Sequence, residues 1–212
     1  RFNWICYIKK SIIYRFTVSK LYLLIMLSES YKKRLQSLAG LNEAKETHKN
    51  EYGALMLTID YKGWDDITSI IDKEDIYDDE PGFGLEKSPH VTVLYGFNND
   101  EDYEKIKQMI IDNHSGEIKI KVHDITHFET PDYDVVKFDV KSEDMVKLNK
   151  LMTDNFEYTT DYPDYHPHMT IAYVKKGLGK KYNSKKEKID MSGTELVYSP
   201  SSESGKKHKF NV

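Results

Sequence analysis

The chain is short of residues that several classes of site require. Its 212 residues include one cysteine, Cys6, so it cannot form a disulfide with itself or a zinc site of several cysteines. Such sparing use of cysteine is typical of proteins from a reducing compartment, and we therefore expect a cytoplasmic location.

Excess positive charge and long hydrophobic runs are missing as well. The 31 lysines and arginines are outnumbered by 35 aspartates and glutamates, for a formal net charge of −4. This balance lacks the basic excess typical of proteins that bind duplex nucleic acid. The longest apolar run, Leu21 to Leu27, is too short to span a bilayer. We therefore expect no duplex nucleic acid and no membrane among the partners, and the pattern indicates no obligate protein partner.

The N-terminal part of the chain differs in composition from the rest. Residues 1–28 are basic and apolar, and we expect them to be a non-native or disordered extension, with 1–25 upstream of a natural start at Met26. A signal peptide or membrane anchor stays open as the alternative. Residues 29–50 are polar with sparse apolar positions and predict a peripheral helix. Residues 51–212 are enough for one hydrophobic core and predict a single domain.

Two short segments carry most of the functional information. They read Pro-His-Val-Thr-Val-Leu-Tyr over 89–95 and Pro-His-Met-Thr-Ile-Ala-Tyr over 167–173. Because side chains alternate between the two faces of a strand, the histidine and threonine of each segment point the same way, and the apolar residue between them points the other way. Each segment therefore predicts a buried strand that carries one polar pair. A single His-x-Thr is common by chance, whereas two matched copies are not.

The elements before the two segments also match. Each segment follows a strand, a helix and a loop, which we predict over 52–59, 64–71 and 72–84 in the first half and over 135–140, 143–155 and 158–167 in the second. Other predicted elements are a helix over 102–113, strands over 118–122 and 195–198, a short strand ending at Phe128 and a lysine-rich segment over 175–188. Two such halves can pack about an approximate two-fold axis, which would place both His-Thr pairs in one cleft.

Two histidines and two threonines suit the cleavage of a phosphodiester. One imidazole can take a proton from the nucleophile and the other can give a proton to the leaving oxygen, because histidine titrates near ~6.5 and both forms are accessible at neutral pH. The two hydroxyls can donate hydrogen bonds to the phosphoryl oxygens, where charge develops. This scheme requires no metal and no other cofactor.

Two other interpretations of the motifs stay open at this point. Both histidines could be hydrogen-bonded core residues, since buried polar groups are normally satisfied. His166 and His168 are also spaced as in a His-x-His zinc site, although no cysteine and no clear third ligand accompany them. We expect neither a metal nor a cofactor.

The paired motifs resemble the signature of the two-histidine (2H) phosphoesterase superfamily, and the resemblance covers residues 51–212. The Tyr-His-Pro-His-Met-Thr-Ile-Ala-Tyr stretch over 165–173 and the Leu-Tyr-Gly over 94–96 are most similar to the phage enzymes that cleave cyclic di- and oligonucleotide messengers, the anti-CBASS nucleases. The resemblance implies an α+β fold. It would have a duplicated β-α-β core, with two antiparallel sheets around a central cleft and flanking helices.

By this resemblance His90 and His168 are the catalytic acid and base, in an order that the sequence does not assign, and Thr92 and Thr170 hold the scissile phosphate. The implied reaction is cleavage of 3′–5′ linkages in cyclic di- or oligonucleotide messengers such as cGAMP. A ribose 2′-OH would be the nucleophile, and the biological role would be viral evasion of CBASS-type defence in the host cytoplasm. The alternatives are an RNA 2′,3′-cyclic phosphodiesterase or 2′–5′ RNA end-processing enzyme, and a module that sequesters a nucleotide without cleaving it.

Residues that contact the bases are harder to predict. Glu195 and Tyr198 lie on a predicted strand, where a carboxylate can accept a base amino group and a ring can stack on a base, for about 1–3 kcal/mol per base. Tyr52 and Tyr165 are candidates on the same grounds. The alternative is an edge-strand glutamate and packed tyrosines. Four lysines of this segment could attract an anionic substrate or form a flap, and the alternative is a solvated loop; they are Lys175, Lys176, Lys180 and Lys181.

Overall fold

A computed structural model describes residues 52–79, 82–98, 103–160, 164–201 and 206–212. The predictions made for residues 1–28 and 29–50 lie outside these ranges. No helix within the described ranges combines the length and the apolar character needed to cross a membrane.

The described residues alternate strands with a few helices. In chain order the elements are β1 Gly53–Thr58, α1 Trp64–Thr68, β2 His90–Phe97, α2 Tyr103–Asn113, β3 Ile118–Glu129, β4 Tyr133–Lys141, α3 Glu143–Asn155, β5 His168–Lys175, β6 Ile189–Gly193, β7 Glu195–Ser199 and β8 His208–Asn211. Two short 3-10 turns, Lys73–Asp75 and Gly179–Tyr182, interrupt the longer loops.

The strands form two four-stranded sheets of matching design. Their orders are β2–β1–β7–β8 and β5–β4–β3–β6, and all pairs are antiparallel. Each motif strand, β2 or β5, pairs with the strand that opens its own half. The third strand of each sheet comes from elsewhere in the chain, because β3 follows β2 but pairs with β4, and β7 follows β5 but pairs with β1. The predicted α+β fold, with a duplicated β-α-β core and two antiparallel sheets, is confirmed.

The helix after β4 shows why several boundaries could be predicted. The side chain of Ser142 accepts a hydrogen bond from the backbone N–H of Met145, which satisfies one of the free donors at the start of α3. Met145, Leu148 and Met152 follow at helical spacing and are buried. The helix therefore begins and ends where the sequence predicted.

Two elements differ from the sequence prediction. The helix α1 ends at Thr68, before the predicted end at residue 71, because the backbone N–H groups of Ile70 and Ile71 bond carbonyls three residues back and tighten the chain into a turn. The strand β3 is one long strand where two short ones were predicted. An extra residue at Asp124 shifts its register, so that the buried positions change from even to odd numbers.

Both sheets contribute to one hydrophobic core. It includes the inward-facing residues of the motif strands, Val91, Val93, Met169 and Ile171, which are completely buried. The opposite face of each motif strand is left to its histidine and threonine.

Candidate active site

The two motif strands expose their polar residues as the alternation predicted. His90 and Thr92 in β2 are partly exposed, and so are His168 and Thr170 in β5. The apolar residues between them face the core. Along an extended strand the histidine and threonine of one motif are roughly 6.6 Å apart, which leaves room for a phosphate beside both side chains.

Each motif strand carries a β-bulge at the residue after its threonine. Adjacent residues of β1, Leu55 and Met56, pair with Leu94 and Thr92, so that Val93 is the extra residue. The same shift in β5 leaves Ile171 as the extra residue between the partners of β4. Bulges bend a strand and redirect its side chains, and they occur often beside active sites.

The bulges bring a tyrosine of each motif to the face that carries the histidine and threonine. Ala54 pairs with Tyr95 and Met56 pairs with Thr92. Because Ala54 and Met56 are two residues apart, they lie on one face, and so do their partners. In an unbulged strand Thr92 and Tyr95, three residues apart, would point to opposite faces.

The second motif repeats this arrangement. Val135 and Lys137 of β4 pair with Tyr173 and Thr170. Each half therefore presents a histidine, a threonine and a tyrosine on one face.

The carbonyl groups released by the bulges are both satisfied. The Asn149 side-chain amide of α3 donates to the carbonyl oxygen of Val93 at 2.8 Å. The backbone N–H of Glu86 donates to the carbonyl oxygen of Ile171 at 2.9 Å. Because a buried unpaired carbonyl is costly, these contacts stabilise the irregular backbone on which the site depends.

The loop that approaches each motif pairs with the motif strand of the other half. Backbone groups of Tyr77, Gly84 and Glu86 bond along β5, with the Tyr77 N–H donating to the carbonyl oxygen of Tyr173 and the Tyr173 N–H donating to that of Gly84. In the other approach loop the Thr159 N–H donates to the carbonyl oxygen of Gly96 in β2, and the N–H of Asn98, just after β2, donates to that of Glu157.

A side chain adds a further link between the halves. The Tyr165 hydroxyl, from the second approach loop, donates to the carbonyl oxygen of Thr92 at 2.7 Å. The two motifs are thereby joined through each other's loops.

The two imidazoles are held in the same way. The Nδ1 of His90 lies 3.0 Å from the carbonyl oxygen of Ser88, and the Nδ1 of His168 lies 2.9 Å from that of His166. Since a carbonyl oxygen only accepts, each Nδ1 carries the hydrogen and donates it. The Nε2 of each ring is then left to accept a proton when neutral or to donate one when charged, as a general base or acid requires.

Comparison with known proteins decides the family. A model described as the 2′-5′ RNA ligase superfamily matches residues 62–187, which is more than half of the chain. The chain belongs to this superfamily. It is a 2H phosphoesterase, and the family chemistry is that of a phosphodiesterase.

Two solved structures align over most of the chain at low identity. One is titled "Crystal structure of phosphoesterase", with 12% identity and a TM-score of 0.46, and another is E. coli LigT complexed with ATP, with 14% identity and a TM-score of 0.39. Each alignment covers 77% of this chain and 96% of the other. No curated protein matches at a significant level.

The two histidines of this 2H phosphoesterase lie in different electrostatic surroundings. Burial lowers the pKa of His168, and the charges of Lys137 and His90 lower it further, against the opposing effect of the hydrogen bond to His166 and the charge of Asp139. His168 therefore favours its neutral form, which is the form that can act as a base.

A carboxylate accompanies the other histidine. The Glu86 carboxylate lies 3.8 Å from the Nδ1 of His90. Glu86 is held in place by its backbone, since the indole N–H of Trp64 donates to its carbonyl oxygen at 2.8 Å. The same residue thus supports the bulge of one motif and faces the histidine of the other.

A polar network beside the second motif was not predicted from the sequence. In β4, Lys137 lies opposite Thr170 and Asp139 lies opposite His168. Lys137 forms an ion pair with Asp139, and both bond the Thr126 hydroxyl at 2.8 Å. The signal was present in the Val-Val-Lys-Phe-Asp-Val run over 135–140, where two charged residues alternate with buried ones.

The residues predicted to contact the bases of a substrate lie in different parts of the fold. Glu195 lies near the first motif, because Thr58 is opposite His90 and its hydroxyl donates to the Glu195 carboxylate at 3.2 Å. That carboxylate also accepts from Lys209 at 3.0 Å, and this bond is the main reason that the pKa of Glu195 is lowered. Glu195 is thus charged and placed two strands away from His90.

The three predicted tyrosines are not gathered at one place. Tyr198 is 1% exposed and packs against Phe97 in the core, which is at odds with a stacking role. Tyr52 contacts Tyr95 edge to face, at the end of the first sheet away from His90. Tyr165 is partly buried, which raises the pKa of its hydroxyl, and that hydroxyl bonds the carbonyl oxygen of Thr92.

Part of the lysine-rich segment is paired with acidic residues. Lys181 forms ion pairs with Asp72 and Asp75, and Lys175 donates to the carbonyl oxygen of Glu74 at 2.6 Å. The acidic loop therefore binds Lys175 and Lys181, which the sequence analysis considered as groups that could attract an anionic substrate. Within the ranges that the structure describes, no cluster of three or more His, Cys, Asp or Glu side chains could hold a metal ion.

Proposed function

We propose that this 2H phosphoesterase cleaves 3′–5′ phosphodiester linkages in cyclic di- or oligonucleotide messengers without a metal. The observation that carries the proposal is the duplicated set of histidine, threonine and tyrosine. Each sheet carries one set on one of its faces, and both imidazoles are anchored through Nδ1. His90, His168, Thr92 and Thr170 would perform the chemistry.

The reaction follows from these groups. One neutral imidazole takes the proton of the ribose 2′-OH, whose oxygen attacks phosphorus. The bond from phosphorus to the 5′-oxygen breaks, and the other imidazole, as imidazolium, gives its proton to that oxygen. The product is a 2′,3′-cyclic phosphate on an opened ring. The threonine hydroxyls stabilise the charge on the non-bridging oxygens as it develops.

Two tyrosine surfaces support a small substrate with two bases. Tyr95 is 50% exposed and contacts Tyr52. Tyr173 packs with Phe83 and Tyr133 on the other sheet, and its partial burial raises its pKa to about 12. Since each tyrosine shares a face with a phosphate-binding threonine, each can stack on a base attached to the bound phosphate. An aromatic surface on each side of one phosphate suits a dinucleotide.

The second candidate is RNA end processing, which the description of the matching superfamily model favours. The same four residues would open an RNA 2′,3′-cyclic phosphate or act on a 2′–5′ linkage. The net charge of −4 gives no general attraction for a long polyanion, and this favours the messenger. The role in evading CBASS-type defence rests on the resemblance of residues 165–173 and belongs to the proposal.

The test compares the two substrates in one assay. Protein in excess EDTA is incubated with 3′,3′-cyclic GMP-AMP and, separately, with an RNA that ends in a 2′,3′-cyclic phosphate, and products are identified by mass spectrometry. We expect opening of the cyclic dinucleotide. Turnover of the RNA alone would establish the second candidate. Binding without turnover of either substrate would contradict both and indicate a sequestering module.

A further inference from the structure

The two halves of the site differ most at the residue opposite the threonine. In the first sheet Met56 stands opposite Thr92, whereas in the second sheet Lys137 stands opposite Thr170. Directly opposed residues of an antiparallel pair have their Cβ atoms about 4.5–5.5 Å apart on the same face. A cation therefore stands beside one phosphate anchor and an uncharged thioether beside the other.

Lys137 is fixed in this place by its neighbours. Its side chain is 15% exposed, and its ammonium group bonds Asp139 and the Thr126 hydroxyl. Burial raises the pKa of Asp139, but the bonds from Lys137 and Thr126 outweigh this effect and bring it below the usual range. A buried ion pair without further partners is costly, and here Thr126 supplies one.

One donor of the ammonium group remains for a ligand. Of the three N–H bonds, two are engaged by Asp139 and Thr126, and the third has no protein partner among the described residues. The Thr170 hydroxyl stands on the neighbouring strand at the same level. The two groups can therefore bind one phosphoryl oxygen or two adjacent ones.

We propose that Lys137 binds a non-bridging oxygen of the scissile phosphate together with Thr170, and that its charge assigns His168 as the general base and His90 as the general acid. The inference rests on the proposed phosphodiesterase function and adds which histidine takes the proton and which one gives it. The 2′-OH proton goes to His168, and the 5′-oxygen receives its proton from His90, which faces the Glu86 carboxylate rather than a cation.

The groups that face His168 allow the charge effect to be separated from packing. They are Lys137 and Asp139 on β4, His123 and Thr126 on β3, and His90 on β2, with the Phe128 ring 5.7 Å from the His168 ring. Lys137 and Asp139 act on the pKa of His168 in opposite directions. Removing each one alone should therefore move the titration of His168 in opposite directions.

The experiment uses Lys137→Met, which copies the side chain found opposite Thr92, and Asp139→Asn. We expect Lys137→Met to lower kcat about 10²–10³-fold, the loss typical for one group that stabilises a developing oxyanion. The acid limb of the kcat/KM profile should move to higher pH in Lys137→Met and to lower pH in Asp139→Asn. Lys137→Arg, which keeps the charge, should recover part of the rate.

NMR titration of the His168 ring protons gives a readout that needs no substrate. The pKa of His168 should be highest in Lys137→Met, intermediate in wild type and lowest in Asp139→Asn, in the same order as the acid limbs of the kcat/KM profiles. Lys150→Met, which breaks an exposed ion pair with Asp154 on α3, is the control and should match wild type. Circular dichroism checks that each variant is folded.

The outcomes separate this inference from the proposed function. Wild-type protein without activity on any phosphodiester would overturn the proposed function, while the NMR order would still test the influence of Lys137 on His168. Active wild type with an unchanged rate in a folded Lys137→Met variant would overturn the role of Lys137 in binding phosphate. Movement of the His168 titration in the same direction in both variants would overturn the influence of the Lys137 charge on His168, on which the assignment of the base depends.

Discussion

The two halves of the candidate site share their backbone geometry and differ in their charges. Each half has a bulge after the threonine, an imidazole anchored through Nδ1 and an approach loop paired with the other half. The residue opposite the threonine is Met56 in one half and Lys137 in the other. The shared features set where the motif side chains point, and the charges distinguish two otherwise equivalent histidines. In the proposed mechanism the duplication supplies two proton-transfer groups, and the difference in charge assigns a role to each.

The largest expected effect comes from removing either histidine. His90→Ala and His168→Ala should each lower kcat/KM about 10²–10⁴-fold, because each removes one proton-transfer group. His208→Ala on the outer strand β8 is the control and should retain the wild-type rate. Near-full activity in either motif variant would contradict the paired mechanism. Steady-state rates across pH should also show that His168→Ala abolishes the acid limb of the profile.

Replacing the threonines tests whether the halves hold the phosphate unequally. Thr92→Val should lower kcat about 10²–10³-fold, because it removes a hydroxyl donor from a half that has no cation opposite it. Thr170→Val should cost less, because Lys137 remains on the neighbouring strand. Rates for both variants on one substrate provide the comparison. A larger loss in Thr170→Val would reverse the inferred asymmetry.

Much of the fold could be predicted because local signals were strong. The Ser142 cap and the buried residues of α3 define that helix, and strict alternation defines the motif strands. The bulges could not be predicted, since an extra residue in one strand depends on the pairing with another. For that reason Tyr95 and Tyr173 were missed as neighbours of the threonines.

Pairing between strands also explains why the sequence could not show the surroundings of Lys137 and Tyr198. Lys137 lies about 30 residues before the second motif, and only the β4–β5 register brings it opposite Thr170. Tyr198 has the composition of a stacking residue, but its strand turns it into the core against Phe97. Sequence periodicity indicates which residues of a strand share a face, and pairing with other strands decides which face is buried.

Gly96 marks a difference in how closely the approach loops meet the motif strands. Its φ is +122°, and a Cβ there would lie 2.1 Å from the carbonyl oxygen of Thr159. The corresponding position in β5 is Val174, which has a side chain. Gly96→Ala should lower the free energy of unfolding by at least about 1–3 kcal/mol through strain, with the clash added. Urea unfolding measures the loss.

Gly177→Ala is the matched control for this variant. Gly177 also has a positive φ, of +82°, but a Cβ there would meet nothing within 4 Å. It should therefore show the effect of backbone strain without the clash. Equal losses in the two variants would mean that the close approach of Thr159 to β2 contributes nothing.

The smallest expected effect concerns the side-chain link between the halves. Tyr165→Phe removes the hydrogen bond to the Thr92 carbonyl and should lower the free energy of unfolding by about 0.5–1.5 kcal/mol. Tyr158→Phe, at an exposed ring in the same loop, is the control. Equal unfolding free energies for the two variants would show that the link does not stabilise the paired motifs.

Binding of a phosphate transition-state analogue to both histidines tests the central claim most directly. Adenosine with vanadate forms a nucleoside vanadate that resembles the five-coordinate phosphorus of the transition state. The ring protons of His90 and His168 can be followed by NMR while this analogue is titrated into the protein. The account predicts that both rings shift together with one dissociation constant, while the ring of His208 does not move. Shifts at one motif histidine alone, or at neither, would contradict a single cleft in which two histidines act on one phosphate.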